Sequence, residues 1–387
     1  MTMRILHTIR SVDPTGGGAV ECVKQLARVH ERQGINVEFA SMDAPDDSWV
    51  AEFPHLLHAF GPVRFNYAFA PRFTSWLAQA RKAYDAVIIH GLWLYNSFGA
   101  WRALRATDTP YFVFPHGMLD PWFKQHYPLK HLKKSLYWPW AEYRVLRDAR
   151  AVLYTAEEER QLARRSFGLY RANERIVPLG IEGPAGVPAK LAETFLDAFP
   201  LHRGKRLLLF LGRLHEKKGC ERLLHAFASE CQDRDGLHLM MAGPCADNAY
   251  LEKLRTVAAS FGDRISSRIT WPGMLTGDLK WGALHSAQAF ILPSHQENFG
   301  IAVVEALACG TPVLLSDRVN IWREIEQANA GLVAPPDNAG TRQLVSEWAT
   351  MDSATLTAMG ENARRCFREH YEAERAAAGL TRALNEN

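Results

Sequence analysis

Ala289-Phe290-Ile291-Leu292-Pro293-Ser294-His295-Gln296-Glu297-Asn298-Phe299-Gly300-Ile301-Ala302-Val303-Val304-Glu305-Ala306 is the stretch whose reading decides the fold. The apolar run 289–293 has the length and composition of a buried strand. From Ile301 to Leu307 the apolar spacing becomes helical, and the pattern stops at Gly310 before Thr311-Pro312. A polar loop carrying a carboxylate and a glycine thus joins a strand end to a helix start. In a doubly wound sheet, ligands bind at that junction.

Outward from this unit the same alternation recurs. Toward the N-terminus, 4–9, 35–40, 86–90, 111–115 and 151–154 read as strands. Residues 19–33 read as a helix and 129–147 as a long helical pattern. A second series of strands is read at 206–211, 237–242, 268–271, 289–293 and 312–315. Alternating strands and helices predict parallel sheets with right-handed crossovers. Glycines and prolines concentrate between 178 and 204, so a linker is expected over 181–204. It would separate an N-terminal Rossmann-like domain, 1–180, from a C-terminal one, 205–367.

The chain has 387 residues, which suits two such domains. A net charge of +3 gives no reason to expect nucleic acid as a partner. Charge is uneven, however. Residues 121–150 hold seven Lys/Arg against two acidic residues. Lys130, Lys133, Lys134, Arg144 and Arg147 lie there beside Tyr137, Trp138, Trp140 and Tyr143. That mixture suits either an anionic membrane surface or a helix whose aromatics are core. Pro139 interrupts or restricts the helical pattern. Six cysteines without a C-x-x-C point to reduced thiols rather than a metal cluster. With no signal peptide read and no membrane-length apolar run, a cytoplasmic protein is expected, at the inner membrane face if the basic segment docks.

Several groups at strand ends carry chemistry. Amides at a helix start suit a phosphate, and the carboxylates of Glu297 and Glu305 suit sugar or ribose hydroxyls. Phosphate and hydroxyls together describe a nucleotide sugar. Gly212-Arg213-Leu214-His215-Glu216-Lys217-Lys218-Gly219 follows the strand 206–211. There Arg213 can fork two phosphate oxygens and Lys218 can add a point charge, which suits a diphosphate leaving group. Thr15-Gly16-Gly17-Gly18 lies between the first strand and first helix, where Gly17 and Gly18 allow close backbone approach. His116-Gly117 and His90-Gly91-Leu92-Trp93 each follow a buried strand. Asp233-Arg234-Asp235 has the spacing of a metal-binding D-x-D but reads as a solvated turn. No metal or cofactor is expected.

Glu297 and Glu305 with Phe299-Gly300 between them resemble the E-x7-E signature of retaining glycosyltransferases with two Rossmann-like domains, family 4 of the GT-B class (glycosyl transferases group 1). The glycine run 16–18, His116-Gly117, and Arg213 with Lys218-Gly219 fall in the family's order. The resemblance implies an α/β GT-B fold with its two domains facing across a cleft. It also implies an N-terminal acceptor domain on which a C-terminal helix, about 368–387, packs back, and a C-terminal donor domain. It assigns Arg213 and Lys218 to the diphosphate and Glu305 to the ribose. Glu297 goes to the sugar hydroxyls, Asn298, Phe299, Gly300 and Ile301 to the donor through the loop, and His116 to the donor sugar. His90 and Trp93 are expected on the acceptor side. His116, Glu297, Arg213 and Lys218 form the expected catalytic set. The implied activity is metal-independent transfer of a hexose, mannose among the choices, to a glycan or polyprenyl-linked saccharide in bacterial-type polysaccharide synthesis. Asn298 stands where the family often has glycine, and Leu179 where it often has asparagine. An epimerase of the same fold and a silent nucleotide-sugar-binding subunit are the alternatives.

Overall fold

The structure, a computed structural model, describes residues 2–14, 17–63 and 65–386. The chain forms two compact units. One holds the residues up to Ile181 together with those from Ala373 onward; the other runs from Glu182 to Glu372.

The first unit is built on a parallel sheet. In chain order its strands are β1 (Arg4–Ile9), β2 (Asn36–Ser41), β3 (Leu56–Ala59), β4 (Ala86–His90), β5 (Tyr111–Phe114), β6 (Ala151–Tyr154) and β7 (Glu174–Ile176), arranged β3-β2-β1-β4-β5-β6-β7. The central strands are buried almost throughout because helices cover both faces. Leu6, Val87, Ile89, Val113 and Val152 are fully buried and pack with Trp101, Trp138 and Tyr154. Each such aliphatic side chain contributes roughly 1.5–3 kcal/mol on burial. The terminal helix Ala373–Asn385 belongs to this unit. His30 Nε2 on the helix Gly18–Arg32 lies 3.1 Å from the Ala377 carbonyl, and Arg32 pairs with Glu374 at 3.1 Å.

The second unit contains β8 (Arg206–Leu211), β9 (Leu237–Ala242), β10 (Ile269–Gly273), β11 (Ala289–Leu292), β12 (Val313–Ser316) and β13 (Gly331–Ala334). All pair in parallel, in the order β10-β9-β8-β11-β12-β13. Strand order reverses between β8 and β11, as it does between β1 and β4 in the first unit. Loops that leave the carboxyl ends of such neighbours diverge to opposite faces and leave a crevice.

One expectation is corrected and one is met. Residues 181–204 are not a free linker. Pro188–Ala198 is a helix with Leu191 and Phe195 buried, packed so closely on the helix Gly277–Ser286 that a Cβ at Gly282 would lie 2.2 Å from the Leu191 carbonyl oxygen. Gly183, Gly186 and Pro188 lead into that helix rather than spacing two domains. The pattern 129–147 is interrupted at Pro139, as read from the sequence. It divides into Pro128–Tyr137, a 3-10 turn at Trp138–Trp140 and Glu142–Arg147, because Pro139 cannot donate to the helical ladder.

Candidate functional site

In the second unit the loops after β8 and β11 are stitched together. Gly219 has φ +73°, and a Cβ there would lie 2.4 Å from the Pro293 carbonyl oxygen. Glycine is needed both for the left-handed backbone and for the approach. Across the contact, the His295 N–H donates to the Lys217 carbonyl at 2.8 Å, and Arg222 Nη2 donates to the Pro293 carbonyl at 2.7 Å. Lys218 is thereby carried to Glu297, and Lys218 Nζ forms an ion pair with Glu297 Oε2. Their side chains are 18% and 22% exposed, so the pair borders solvent without being fully hydrated.

The Glu297 segment is fixed by the loop after β12. Its N–H donates to the Arg318 carbonyl at 2.9 Å, and its carbonyl accepts from the Asn320 N–H at 3.0 Å. Asn320 Nδ2 donates to Asn298 Oδ1 at 3.0 Å. Gly300 then turns the chain at φ +70° into the helix Ile301–Cys309. Its first amides, at Ile301 and Ala302, have no intrahelical acceptor and open at the positive end of the helix dipole. The Phe299 ring is buried edge-on to Tyr371, with centroids 5.7 Å apart. That residue offers a site its backbone, not its side chain.

Glu305 is the fifth residue of the same helix and is buried. Lys280 Nζ, from Gly277–Ser286, lies 2.5 Å from Glu305 Oε1. A buried carboxylate with an ammonium on one oxygen is held in orientation. Arg213 is exposed and makes no ion pair among the described residues. An unpaired guanidinium, a paired ammonium, open helix amides and two carboxylates therefore belong to one loop system at the carboxyl ends of β8 and β11. It can take an anion and a polyhydroxylated group side by side.

In the first unit, Gly17 caps the helix Gly18–Arg32 at φ +100°, and apart from its chain neighbours no atom of the described residues lies within 4 Å of where a Cβ would stand. Gly18 is its first residue. Thr15 and Gly16 lie outside the described residues. His116 sits two residues past β5 at φ +51°. Its turn is pinned by the buried Glu159, which accepts from the Gly117 N–H at 2.6 Å and the Thr155 N–H at 2.7 Å. His116 Nε2 lies 2.9 Å from His90 Nδ1. Burial pushes His116 down to about 4, so the ring is neutral near pH 7.

His90, expected on the acceptor side, is 3% exposed and has both ring nitrogens engaged, by His7 and His116. It supports His116 instead of forming surface. Trp93 is half-buried; its indole N–H donates to the Met118 carbonyl at 3.2 Å, and Lys134 Nζ lies 4.5 Å from its ring. Lys134 thus points inward, beside the buried Glu142, and burial lowers it to about 8. Asp233 and Asp235 are exposed and both pair with Arg264, at 3.3 and 3.0 Å.

The basic aromatic segment divides its roles. Trp138 is core. On Pro128–Tyr137, by contrast, Leu129, Leu136 and Leu132 are 78%, 70% and 59% exposed, with Trp140 beyond them also exposed. Lys130 and Lys133 are exposed on the same helix.

Sequence reading missed Lys280, His7 and Asn320. Lys280 reaches Glu305 and Asn320 reaches Asn298 within the second unit, and His7 reaches His90 within the first; only strand register and helix packing bring these pairs together. The one available signal was the position of His7 in β1, beside the crevice.

Comparison with known proteins adds to this geometry. Residues 193–366 match the family described as glycosyl transferases group 1, and residues 17–180 match the glycosyl transferase 4-like domain. A GDP-mannose-dependent alpha-(1-6)-phosphatidylinositol dimannoside mannosyltransferase of Mycobacterium tuberculosis is 28% identical over 306 residues, covering 78% of this chain and 73% of that one. An uncharacterized glycosyltransferase of Methanocaldococcus jannaschii is 30% identical over 149 residues, 37% of each chain. Among solved structures, the sucrose-phosphate synthase of Thermosynechococcus elongatus superposes with a TM-score of 0.78 at 20% identity, over 98% of both chains. HepE of Anabaena, solved with UDP and glucose, superposes at 0.77 and 16% identity, over 100% of both.

Proposed function

Because the chain belongs to the group 1 glycosyltransferases and has their two-domain GT-B fold, we propose that it transfers a hexose, with retention and without a metal. The donor is a nucleoside-diphosphate sugar and the acceptor a hydroxyl of a glycan or lipid-linked saccharide. The observation that carries this reading is the meeting of Lys218 and Glu297 at the carboxyl ends of β8 and β11, beside the open amides of Ile301–Cys309. Relatives named for GDP-mannose and for UDP support the donor class, and mannose is the first sugar to try.

In this reading Arg213 and Lys218 take the diphosphate, whose charge grows as the sugar leaves. Glu305, oriented by Lys280, accepts the ribose hydroxyls. Glu297 holds the sugar hydroxyls and favours the positive charge developing at the anomeric carbon. The loop from Asn298 to Ile301 presents backbone to sugar and phosphate, and the backbone at Gly17 and Gly18 is assigned to the donor as well. His116 meets the sugar. No side chain is placed as a covalent nucleophile. The acceptor oxygen attacks from the face the diphosphate leaves, and the departing phosphate takes the acceptor's proton.

The exposed leucines and lysines of Pro128–Tyr137 extend the reading to an anionic membrane surface, where a polyprenyl-linked acceptor would reside. Among the described residues no helix is long and apolar enough to cross a membrane.

The test is a panel of nucleotide sugars offered with and without saccharide acceptors, in excess chelator. Slow donor hydrolysis identifies the sugar, and proton spectra of the product give its anomeric configuration. An inverted product, or activity seen only with added divalent metal, overturns those parts of the reading. No turnover of any donor overturns the whole.

A further inference from the structure

Three imidazoles form a row across the first unit's sheet. β1 pairs with β4 so that His7 faces Ile88, and β4 pairs with β5 so that His90 faces Phe114. Each histidine therefore stands two residues beyond the position level with the one before it. Side chains alternate with period two, so the two-residue step keeps His7 and His90 on one face of the sheet, and the left-handed turn past β5 brings His116 to the end of the row. His7 Nδ1 lies 2.8 Å from His90 Nε2, and His90 Nδ1 lies 2.9 Å from His116 Nε2. Successive ring planes differ by 14° and 17°, with centroids 5.1 Å apart in both pairs. Such a separation is what a straight N···N contact requires, so the rings meet edge to edge.

A neutral imidazole carries one N–H and one lone pair. Desolvation keeps these rings neutral: it lowers His7 to about 3, His116 to about 4 and His90 well below the ordinary range. Two contacts among three neutral rings then allow two proton arrangements. Either every N–H points toward His116, or every N–H points toward His7. A middle ring that donated to both neighbours would be a cation, and one that accepted from both would be an anion.

The far end decides between them. His7 Nε2 is buried and has no hydrogen-bond partner among the described residues. Phe39 packs beside the ring at 5.1 Å, and neither His30 nor His55 supplies an acceptor to that atom. If the protons pointed toward His7, Nε2 would be an orphaned buried N–H. In the opposite arrangement it is a bare lone pair, the less costly of the two. We infer that His7 and His90 are positioning residues that lock His116 as its Nδ1–H tautomer, so that the ring presents a fixed N–H donor at the carboxyl end of β5. The functional consequence rests on the proposed contact of His116 with the donor sugar. There the ring donates to a hydroxyl oxygen and does not serve as a base.

The tautomers are read from long-range proton–nitrogen correlation spectra of the ligand-free full chain carrying 15N-histidine. His7, His90 and His116 are expected with Nδ1 protonated and Nε2 bare, unchanged across about pH 6 to 8, where a solvent-exposed histidine titrates. An Nε2–H tautomer at His116, or rapid exchange between the two forms, overturns the inference. His90→Phe keeps a ring in the row but removes both hydrogen bonds. In that variant His116 should lose its Nδ1–H preference. Sugar transfer should slow about tenfold in kcat, one hydrogen bond's worth, with nucleoside-diphosphate affinity unchanged. An unaltered His116 tautomer in folded His90→Phe also overturns it. Should the variant fail to fold, the spectrum of the unmodified chain decides alone. Since that spectrum needs no ligand, failure of the donor-sugar reading shows separately, as absence of nucleotide-sugar turnover.

Discussion

Glu297→Gln should act in opposite directions on two measurements. In the ligand-free protein the Lys218 ammonium is neutralised by Glu297, with both side chains about a fifth exposed. A diphosphate that arrives at Lys218 therefore meets a carboxylate already in place. Exposed pairs couple by about 0–1 kcal/mol, and breaking a buried pair costs about 3–5 kcal/mol. For a half-screened pair we take about 1–2 kcal/mol. Removing the carboxylate frees the ammonium and abolishes one repulsion, so a nucleoside diphosphate should bind Glu297→Gln roughly 5- to 30-fold more tightly. Lys218→Met should weaken the same ligand, and the double variant should depart from additivity by about 1–2 kcal/mol. Turnover of the complete donor should nonetheless fall in Glu297→Gln, because the sugar loses its carboxylate. Titration calorimetry on the four proteins gives the cycle, and steady-state kinetics gives the turnover. If Glu297→Gln binds the diphosphate no better than the parent, the competition between Glu297 and phosphate for Lys218 does not exist.

Glu305→Gln should raise the donor KM more than it lowers kcat, since a ribose contact is made alike in ground and transition states. Lys280→Met should shift KM the same way by releasing the carboxylate, and an unchanged KM in both removes Glu305 from the donor. Anionic vesicles should bind the chain at low salt and release it at high salt. Lys130→Glu with Lys133→Glu should weaken that binding by about 2 kcal/mol at roughly 1 kcal/mol per charge, whereas retention of full binding would leave the exposed leucines unexplained. Burial raises the carboxyl of Glu142 to about 7. Its contribution to stability is complete below the unfolded value near 4.5 and is lost as pH rises through about 7, on the order of 3 kcal/mol at most. Lys134, lowered to about 8, acts mainly above that window. Urea unfolding between about pH 5 and pH 8 should show the loss, and Glu142→Gln should flatten it.

The sheets' central strands were legible because most are largely apolar runs closed by a turn residue, as at 206–211 and 289–292. The strands that sequence reading missed, β3, β7 and β13, are all sheet edges. Each is short and partly exposed, Leu56 among them, and a single pairing partner leaves little apolar pattern to detect. The loop carrying Glu297 to Glu305 was legible for a local reason. Strand, glycine and helix follow one another within a few residues, and the family's spacing lies within the same run. Partners were not legible. Lys280 reaches Glu305 from another helix, and Lys218 reaches Glu297 only because Gly219 lets two loops touch. His90 looked like a surface residue at a strand end. Only the register of β1 and β4 reveals that His7 encloses it. The leucines at 129, 132 and 136 fit a core helix equally well on periodicity, and burial alone separates the readings.

The path of the chain through its two units also sets an order of events. The second unit is an insertion: the two first-unit residues that flank it are hydrogen-bonded side by side, the Ala373 N–H donating to the Ile181 carbonyl at 3.1 Å. During synthesis the strands of the first unit emerge early, yet the helix that covers Gly18–Arg32 is made only after Glu372. Until then the face around His30 and the Arg175 guanidinium, which donates to the Ala383 carbonyl at 2.6 Å, wait without their partners. The second unit, continuous from Glu182 to Glu372, has every segment it needs as it leaves the ribosome. The half of the protein encoded first is therefore the half completed last. A chain that stops just past Glu372 would carry a finished second unit joined to a first unit still lacking its closing helix, a form open to proteases and chaperones.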